Sequence, residues 1–274
     1  MFLRTNAAAV LVAAFFSVLL TSAQNSAHAA SKHEFARAFV IEIDGVRRSE
    51  NAAQQALPPA SLTKMMTGLL VIERATPDAS LLISSHAASA TGSKLGLRVG
   101  DRMRASDLLS AMLIASANDA CRALAEWVAG SEPAFVVLMN QRAQAMGLSN
   151  THFVNACGHY AEGHLTTAND LATLARAAMA LPEYARRARI PALRITTLDQ
   201  RRRFTLKNHN HLIGRFAGAY GVKTGFTAKA GKCLVAMAER KGHHVLLVML
   251  NAKNRWWDAD AALNYALNRA ESIN

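Results

Sequence analysis

Ser61 and Lys64 stand three residues apart in the stretch Ser61-Leu62-Thr63-Lys64. On a helix that spacing puts a hydroxyl and an amine on one face, a turn apart. A neutral Lys64 could then take the proton of the Ser61 hydroxyl as that oxygen attacks a carbonyl carbon. Keeping a lysine neutral near pH 7 means disfavouring its ammonium by roughly 5 kcal/mol. Burial and a neighbouring cation are two means of doing so. Leu62, Met65, Met66 and the preceding Pro58-Pro59 favour a buried site over a solvated lysine. The pair alone is not diagnostic, because Ser-x-x-Lys is expected about once in a chain of this length.

Ser116-Ala117-Asn118 adds a second hydroxyl, able to relay a proton, and a carboxamide able to grip a peptide. It lies between two apolar helical segments, where an unused polar pair is costly. The plain alternative is a helix break with Ser116 or Asn118 as a cap. Lys223-Thr224-Gly225 occurs once, on an expected strand. A glycine at a strand edge lets another backbone come close, and a peptide can lie alongside as an added strand. Lys223 and Thr224 would then face its carboxylate. A basic turn in a sheet is the plain reading of that tripeptide.

The elements that must hold these residues follow from periodicity. Residues 35–43 (FARAFVIEI) read as a strand ending in a turn at Asp44-Gly45. Residues 61–75 are apolar around much of a helix surface and predict a largely buried helix. Residues 93–104 read as loop or short strands. Helices are expected over 106–115, 118–129, 132–146 and 167–181, the last capped by Thr166 or Thr167. After Pro182 the pattern changes to strands over 193–197, 203–206, 220–223, 233–238 and 245–250, then a helix over 256–268. This order suggests an α/β lobe built from both chain ends, about 30–75 and 183–274. A helical lobe, about 76–182, is inserted between them.

The three motifs occur in the order Ser-x-x-Lys, Ser-x-Asn, Lys-Thr-Gly, the signature set of serine β-lactamases and penicillin-binding proteins. The chain resembles the low-molecular-mass penicillin-binding proteins, the serine D-Ala-D-Ala carboxypeptidase family. The likeness runs through 57–67, 92–101, 116–121, 146–148, 150–153, 164–171, 208–212, 221–227 and Ala230-Gly231. It covers roughly residues 35–270. It implies a penicillin-binding/β-lactamase-like α/β fold, an antiparallel sheet flanked by helices with the helical lobe inserted, and no cofactor or metal. It implies that Ser61 attacks the penultimate D-Ala of a peptidoglycan stem peptide and forms an acyl-enzyme, with Lys64 as base and Ser116 relaying the proton. Asn118 would hold the substrate amide, and Lys223 and Thr224 the terminal carboxylate. Gly225 and Phe226 complete the substrate site, Phe226 through its backbone N–H beside that of Ser61 as an oxyanion hole. β-Lactams would acylate the same serine.

Two features depart from the family pattern. With Asn274 as its last residue, the chain is expected to lack the β-rich domain and amphipathic helix that many members carry, as in shorter members that include cross-link-cutting D,D-endopeptidases. Asn155-Ala156-Cys157-Gly158-His159 has His159 where Gly-Leu is expected. Endopeptidase action and a non-catalytic penicillin sensor are the alternative functions. A class A β-lactamase needs Glu-x-x-Leu-Asn, and Glu162-Gly163-His164-Leu165-Thr166 has Thr166 in place of the Asn. No His-Glu-x-x-His is present. His209 and His211, on one face if on a strand, lack an evident third metal ligand.

The formal net charge is +12, with 51% apolar and 18% charged residues. That excludes a disordered chain and makes a polyanion a candidate partner. Met1–Ala30 carries one charge, Arg4, ahead of the apolar run 7–20 and an Ala27-His28-Ala29 cleavage pattern. It reads as a signal peptide, 1–29, that exports a peptidase domain, 30–274, to the periplasm or another extracytoplasmic space. The apolar run is too short to span a membrane. Export argues against nucleic acid. The Arg-rich stretch 186–207 instead suits an anionic wall or membrane surface. Cys121, Cys157 and Cys233 sit in apolar or Gly-rich settings and read as buried free thiols, one disulfide being the alternative.

Overall fold

A computed structural model of the chain describes residues 35–74 and 78–272. The expected leader, 1–29, lies outside the described residues. The first strand, β1 (Ala38–Ile43), is buried on both faces. Asp44 and Gly45 both take positive φ and turn the chain into β2 (Val46–Asn51). Two positive φ values in a two-residue loop match the twist of a hairpin. β2 is a polar edge strand (VRRSEN) that the apolar pattern did not reveal. Its charges suit an edge, where an apolar strand would invite further pairing.

A 3-10 turn, Ala60–Thr63, leads directly into α1 (Lys64–Arg74). The expected helix over 61–75 is therefore two pieces, and Ser61 sits in the tight turn. Then come β3 (Ser80–Leu82), α2 (Ser85–Ala88), β4 (Arg102–Arg104), α3 (Ala105–Ile114), α4 (Asn118–Ala129), α5 (Glu132–Ala145) and α6 (Ala168–Ala180). The Thr167 side chain accepts from the N–H of Asp170 and caps α6. Pro182 opens a short helix, α7 (Pro182–Ala188), where the sequence reading placed only a boundary. Proline fits there because the first helical N–H has no partner inside the helix. Helices α3 to α7 all pack on α1. Met65, Met66, Leu69 and Leu70 of α1 are at most 1% exposed, as an all-round apolar helix requires.

The strands β5 (Ala192–Thr196) and β6 (Arg203–Lys207) pair with each other as a separate hairpin. β7 (Ala219–Thr227), β8 (Gly231–Arg240) and β9 (His243–Ala252) complete the main sheet, in the order β2-β1-β9-β8-β7, all antiparallel. The first and last parts of the chain thus share one sheet. Its alternation splits the core. Ala38, Val40, Val235, Leu246, Val248 and Leu250 face the helices around α1. Phe39, Ile41, Leu234, Ala236, Leu247 and Met249 face α8 (Arg255–Glu271). Helix α8 answers with Ala259, Ala262, Leu263, Ala266 and Leu267, spaced to lie on one face.

Candidate active site

The Ser61 turn is shaped by its surroundings. Ala60 has φ 49°, unusual for a residue with a Cβ. The Thr63 hydroxyl donates to the Ala60 carbonyl at 2.8 Å. His164 accepts the Val154 N–H at Nδ1 (3.0 Å), so its Nε2 carries the proton and donates to Thr63 Oγ1 at 2.8 Å. Burial pushes the His164 imidazole down to about 4, which keeps it in that neutral tautomer. Two glycines are required by close approach. A Cβ on Gly158, at φ +85°, would lie 2.0 Å from the Ala60 carbonyl oxygen. One on Gly225 would lie 2.9 Å from Pro59 O and 3.2 Å from Ser61 N, so β7 runs directly beside the Ser61 turn.

Lys64, the first residue of α1, is fully buried. Its Nζ lies 3.0 Å from Ser61 Oγ and donates to Asn118 Oδ1 at 2.7 Å and the Cys157 carbonyl at 2.5 Å. Burial, and then the charge on Lys223, hold its amine well below the usual lysine range, against a smaller opposite pull from Glu132. Across the site Lys223, 2% exposed, donates to Ser116 Oγ at 3.0 Å and to the Thr224 carbonyl at 3.0 Å. Burial, with Arg255 adding, brings the Lys223 amine down to about 7. Ser116 lies between α3 and α4 at φ 57°. Left-handed backbone at a non-glycine residue is a cost that a functional site often carries.

Ser61, Ser116, Thr224, Gly225 and Phe226 line one cleft of about 220 Å³, together with Ser93, His209, His211 and Arg255. The two serines open into it and the two lysines stand behind them. Phe226 is 63% exposed and forms part of its rim. Asn118 is set back from the cleft: its amide nitrogen donates to Thr91 O at 2.6 Å and lies 3.2 Å from His159 Nε2. The seven residues singled out in the three motifs, and Phe226 beside the last of them, are thus gathered at one site. Chemically, the arrangement offers a hydroxyl nucleophile with an amine of low basicity beside it. A second hydroxyl–amine pair and cations suited to a carboxylate stand close by.

Several participants escaped the sequence reading. Arg255 opens α8 and donates to the carbonyls of Gly225 (2.9 Å) and Cys233 (3.2 Å) while lying over Trp256. Nothing local marked it; only the return of β9 beside β8 carries it to the cleft. The Asp119 carboxylate is fully buried and accepts the N–H groups of Leu95, Gly96 and Leu97, which pins the strip carrying Ser93. The Asp next to the Ser-x-Asn triplet was the available signal. His209 and His211 are in an irregular segment and a turn after β6, not on a strand, yet both reach the cleft, and His211 stacks on Trp256 at 4.6 Å.

One expectation is corrected. Cys121 and Cys157 are joined in a disulfide with a Cα separation of 6.0 Å, and only Cys233 is a buried free thiol. Spacing does not carry connectivity, and the 36 residues between the partners hid their contact. The Arg-rich stretch is not a uniform solvated face. Arg187 is buried against Glu183 and Ser110, and Arg202 pairs with Asp101. Arg194, Arg203 and Lys207 stay exposed on the β5–β6 hairpin.

A sequence profile of the D-alanyl-D-alanine carboxypeptidase family, peptidase family S11, matches residues 23–254. The Bacillus subtilis D-alanyl-D-alanine carboxypeptidase DacF is 35% identical over 254 residues, which are 88% of this chain and 64% of DacF. The chain therefore spans under two thirds of that relative's length. The crystal structure of the Francisella tularensis D-alanyl-D-alanine carboxypeptidase DacD superposes with a TM-score of 0.80 at 30% identity, covering 85% of this chain and 70% of DacD. The Streptomyces K15 DD-transpeptidase superposes at 0.81 with 28% identity, covering 85% of this chain and 97% of that one. The fold is that of the DD-peptidases, and the chain belongs to the D-alanyl-D-alanine carboxypeptidase family.

Proposed function

We propose that the protein is a serine D-Ala-D-Ala carboxypeptidase that trims peptidoglycan stem peptides and is acylated by β-lactams. The observation that carries this reading is the Ser61–Lys64 contact of 3.0 Å, with the amine buried and its basicity lowered. Ser61 Oγ attacks the carbonyl carbon of the penultimate D-Ala as Lys64 Nζ takes its proton. The oxyanion accepts from the backbone N–H groups of Ser61 and Phe226, a donor of this kind supplying about 3–4 kcal/mol. The C–N bond then breaks as the proton held by Lys64 is relayed through the Ser116 hydroxyl to the departing amine, and free D-Ala leaves. Water cleaves the Ser61 ester and the serine recovers its proton.

Lys223 and Thr224 bind the terminal carboxylate, with Arg255 as a further cation at the cleft. Asn118 orients the substrate amide. Residues 1–29 are the export signal and 30–274 the peptidase domain, which acts outside the cytoplasm. Among the described residues no helix is long and apolar enough to cross a membrane. Arg194, Arg203 and Lys207 supply an exposed basic surface for attraction to an anionic wall or membrane.

The test is intact mass after incubation with a labelled penicillin. One adduct on the wild type and none on Ser61→Ala is the expected result; equal labelling of both overturns the proposal. Peptides ending in D-Ala-D-Ala, run beside cross-linked ones, then decide the reaction. Loss of one D-Ala supports the carboxypeptidase. Cleavage of cross-links alone reassigns the protein as a D,D-endopeptidase, and labelling without turnover as a penicillin sensor.

A further inference from the structure

The Lys64 amine has three partners: as a neutral base it donates its two protons to Asn118 Oδ1 and the Cys157 carbonyl, and its lone pair accepts from the hydroxyl of Ser61, the reacting group. The other two hold the base in place, and they come from segments far apart in the chain. Asn118 opens α4. Cys157 lies in the loop between α5 and α6 and uses its own backbone carbonyl. The disulfide joins these same two segments. Cys121 is three residues beyond Asn118 on α4, on the same face one turn along. Its partner is the acceptor residue Cys157 itself.

The loop around Cys157 is built to aim that carbonyl. Asn155 Oδ1 accepts the N–H groups of Cys157, Gly158 and His159 at 3.2, 2.7 and 3.0 Å. The N–H of Ala156 donates to Glu132 at 2.9 Å, and its carbonyl accepts from Thr67 Oγ1 at 2.6 Å. Gly158 lies flush against Ala60. The loop therefore touches the nucleophile's turn, the helix of the base, and α5. Its tie to α4 is covalent.

We infer that the Cys121–Cys157 disulfide is a positioning element for Lys64, fixing the separation of the two acceptors that hold its amine. This rests on the proposed role of Lys64 as base. Without the tie, only the loop's hydrogen bonds and the Gly158 contact hold the carbonyl to the amine. Misplacing a catalytic group by 1 Å can cost about 10²-fold in rate. An opened loop also lets water reach a buried cation, which favours the ammonium form. The charged or titratable groups facing Lys64 are Lys223 on β7, Glu132 at the start of α5, His159 in the same loop and His209 after β6.

The experiment begins by unfolding the purified wild-type protein in iodoacetamide. One alkylation, at Cys233, is expected without reductant and three with it; three without reductant overturns the inference. The acylation rate by labelled penicillin is then measured against pH for wild type and Cys121→Ala/Cys157→Ala, with the thermal midpoint alongside. The expected result is a rate lower by about tenfold to a hundredfold and an acid limb moved to higher pH. A wild-type rate and limb in the variant overturns the inference. So does a rate that falls only with the folded fraction while the limb stays in place, since that marks a purely structural bond.

If the double variant does not fold, the same readouts apply to wild type reduced by a water-soluble phosphine. That reagent takes an oxygen from water and leaves two thiols, which are capped. Unfolding of the reduced protein also overturns the inference. Absence of labelling on wild type with one alkylation found is a different failure: it removes the acyl-transfer reading, and the role given to Lys64 with it.

Discussion

Two serine–lysine pairs meet at the cleft, each with Nζ 3.0 Å from Oγ. Both amines are buried and both are less basic than a free lysine. The first pair is local: Ser61 and Lys64 are three residues apart, and tertiary structure supplies the two acceptors of Lys64, Asn118 Oδ1 and Cys157 O. The second is assembled across 107 residues, from the turn between α3 and α4 and the middle of β7. Its lysine gives its other hydrogen bond to its own strand, at Thr224 O. The electrostatics run in sequence, since Arg255 acts on Lys223 and Lys223 acts on Lys64. The difference teaches that equal distances do not mean equal roles. Lys64 is enclosed by fixed acceptors and suits a proton acceptor, whereas Lys223 stands beside the cleft-lining Thr224 and Arg255, and suits a carboxylate.

The strongest way to break this contrast is to remove each amine in turn. Lys64→Met should slow penicillin acylation by about 10²–10⁴-fold, the usual worth of general base catalysis. Lys223→Met should cost about 10²-fold, the scale of a hydrogen bond to a charged group, expressed mainly in KM for carboxylate substrates. A reversed order of the two losses sinks the assignment. The pH dependence separates them further. Lys64 acts as a base only when deprotonated, so kcat falls as pH drops through its lowered pKa. Lys223 grips a carboxylate best as an ammonium, so KM for the peptide should worsen as pH rises past about 7. A KM independent of pH between 6 and 9 would count against Lys223 as the clamp.

The same contrast decides what was legible in the sequence. The Ser61–Lys64 pair could be read because its spacing is the spacing of a helical turn. The alternation of β8 and β9 and the apolar spacing of α1 were legible for the same local reason. Ser116 and Lys223 were found as motifs, but their contact depends on where β7 falls in the sheet order. Arg255, the Cys157 carbonyl and the disulfide depend wholly on topology. The β2 edge strand was missed because an exposed polar strand has no apolar pattern.

A second test turns on stability rather than rate. An unfolded lysine holds its proton up to about 10.5, while folded Lys223 releases it near 7. Between these values the unfolded chain binds more protons, so the free energy of unfolding rises with pH. The cost of burying this lysine is fully present below pH 7 and is relieved toward pH 10.5, a span worth a few kcal/mol, roughly. Lys64 contributes with the same sign in both proteins. Wild type should therefore gain stability between pH 7 and 9.5 more steeply than Lys223→Met, as read from urea unfolding at each pH. Parallel stability curves would show that Lys223 is not buried in the neutral form.

The smallest effect concerns His159, the residue that departs from the expected Gly-Leu. Asn118 carries two amide protons. One goes to Thr91 O at 2.6 Å, and His159 Nε2 lies 3.2 Å from the same nitrogen. Burial, with the nearby cations Lys64 and Arg122, lowers the His159 pKa against an opposite pull from Thr91 O, 3.4 Å from the same Nε2; in the neutral tautomer with its proton on Nδ1, Nε2 accepts the second proton of Asn118. A substrate carbonyl that needs this proton must displace an existing hydrogen bond. His159→Leu removes the competitor and leaves the donor waiting. One neutral hydrogen bond corresponds to about a twofold to tenfold change in an equilibrium. KM for a stem peptide should therefore fall by about that factor, with kcat nearly unchanged and the thermal midpoint slightly lower. A rise in KM would instead mean that His159 helps present Asn118 to the substrate.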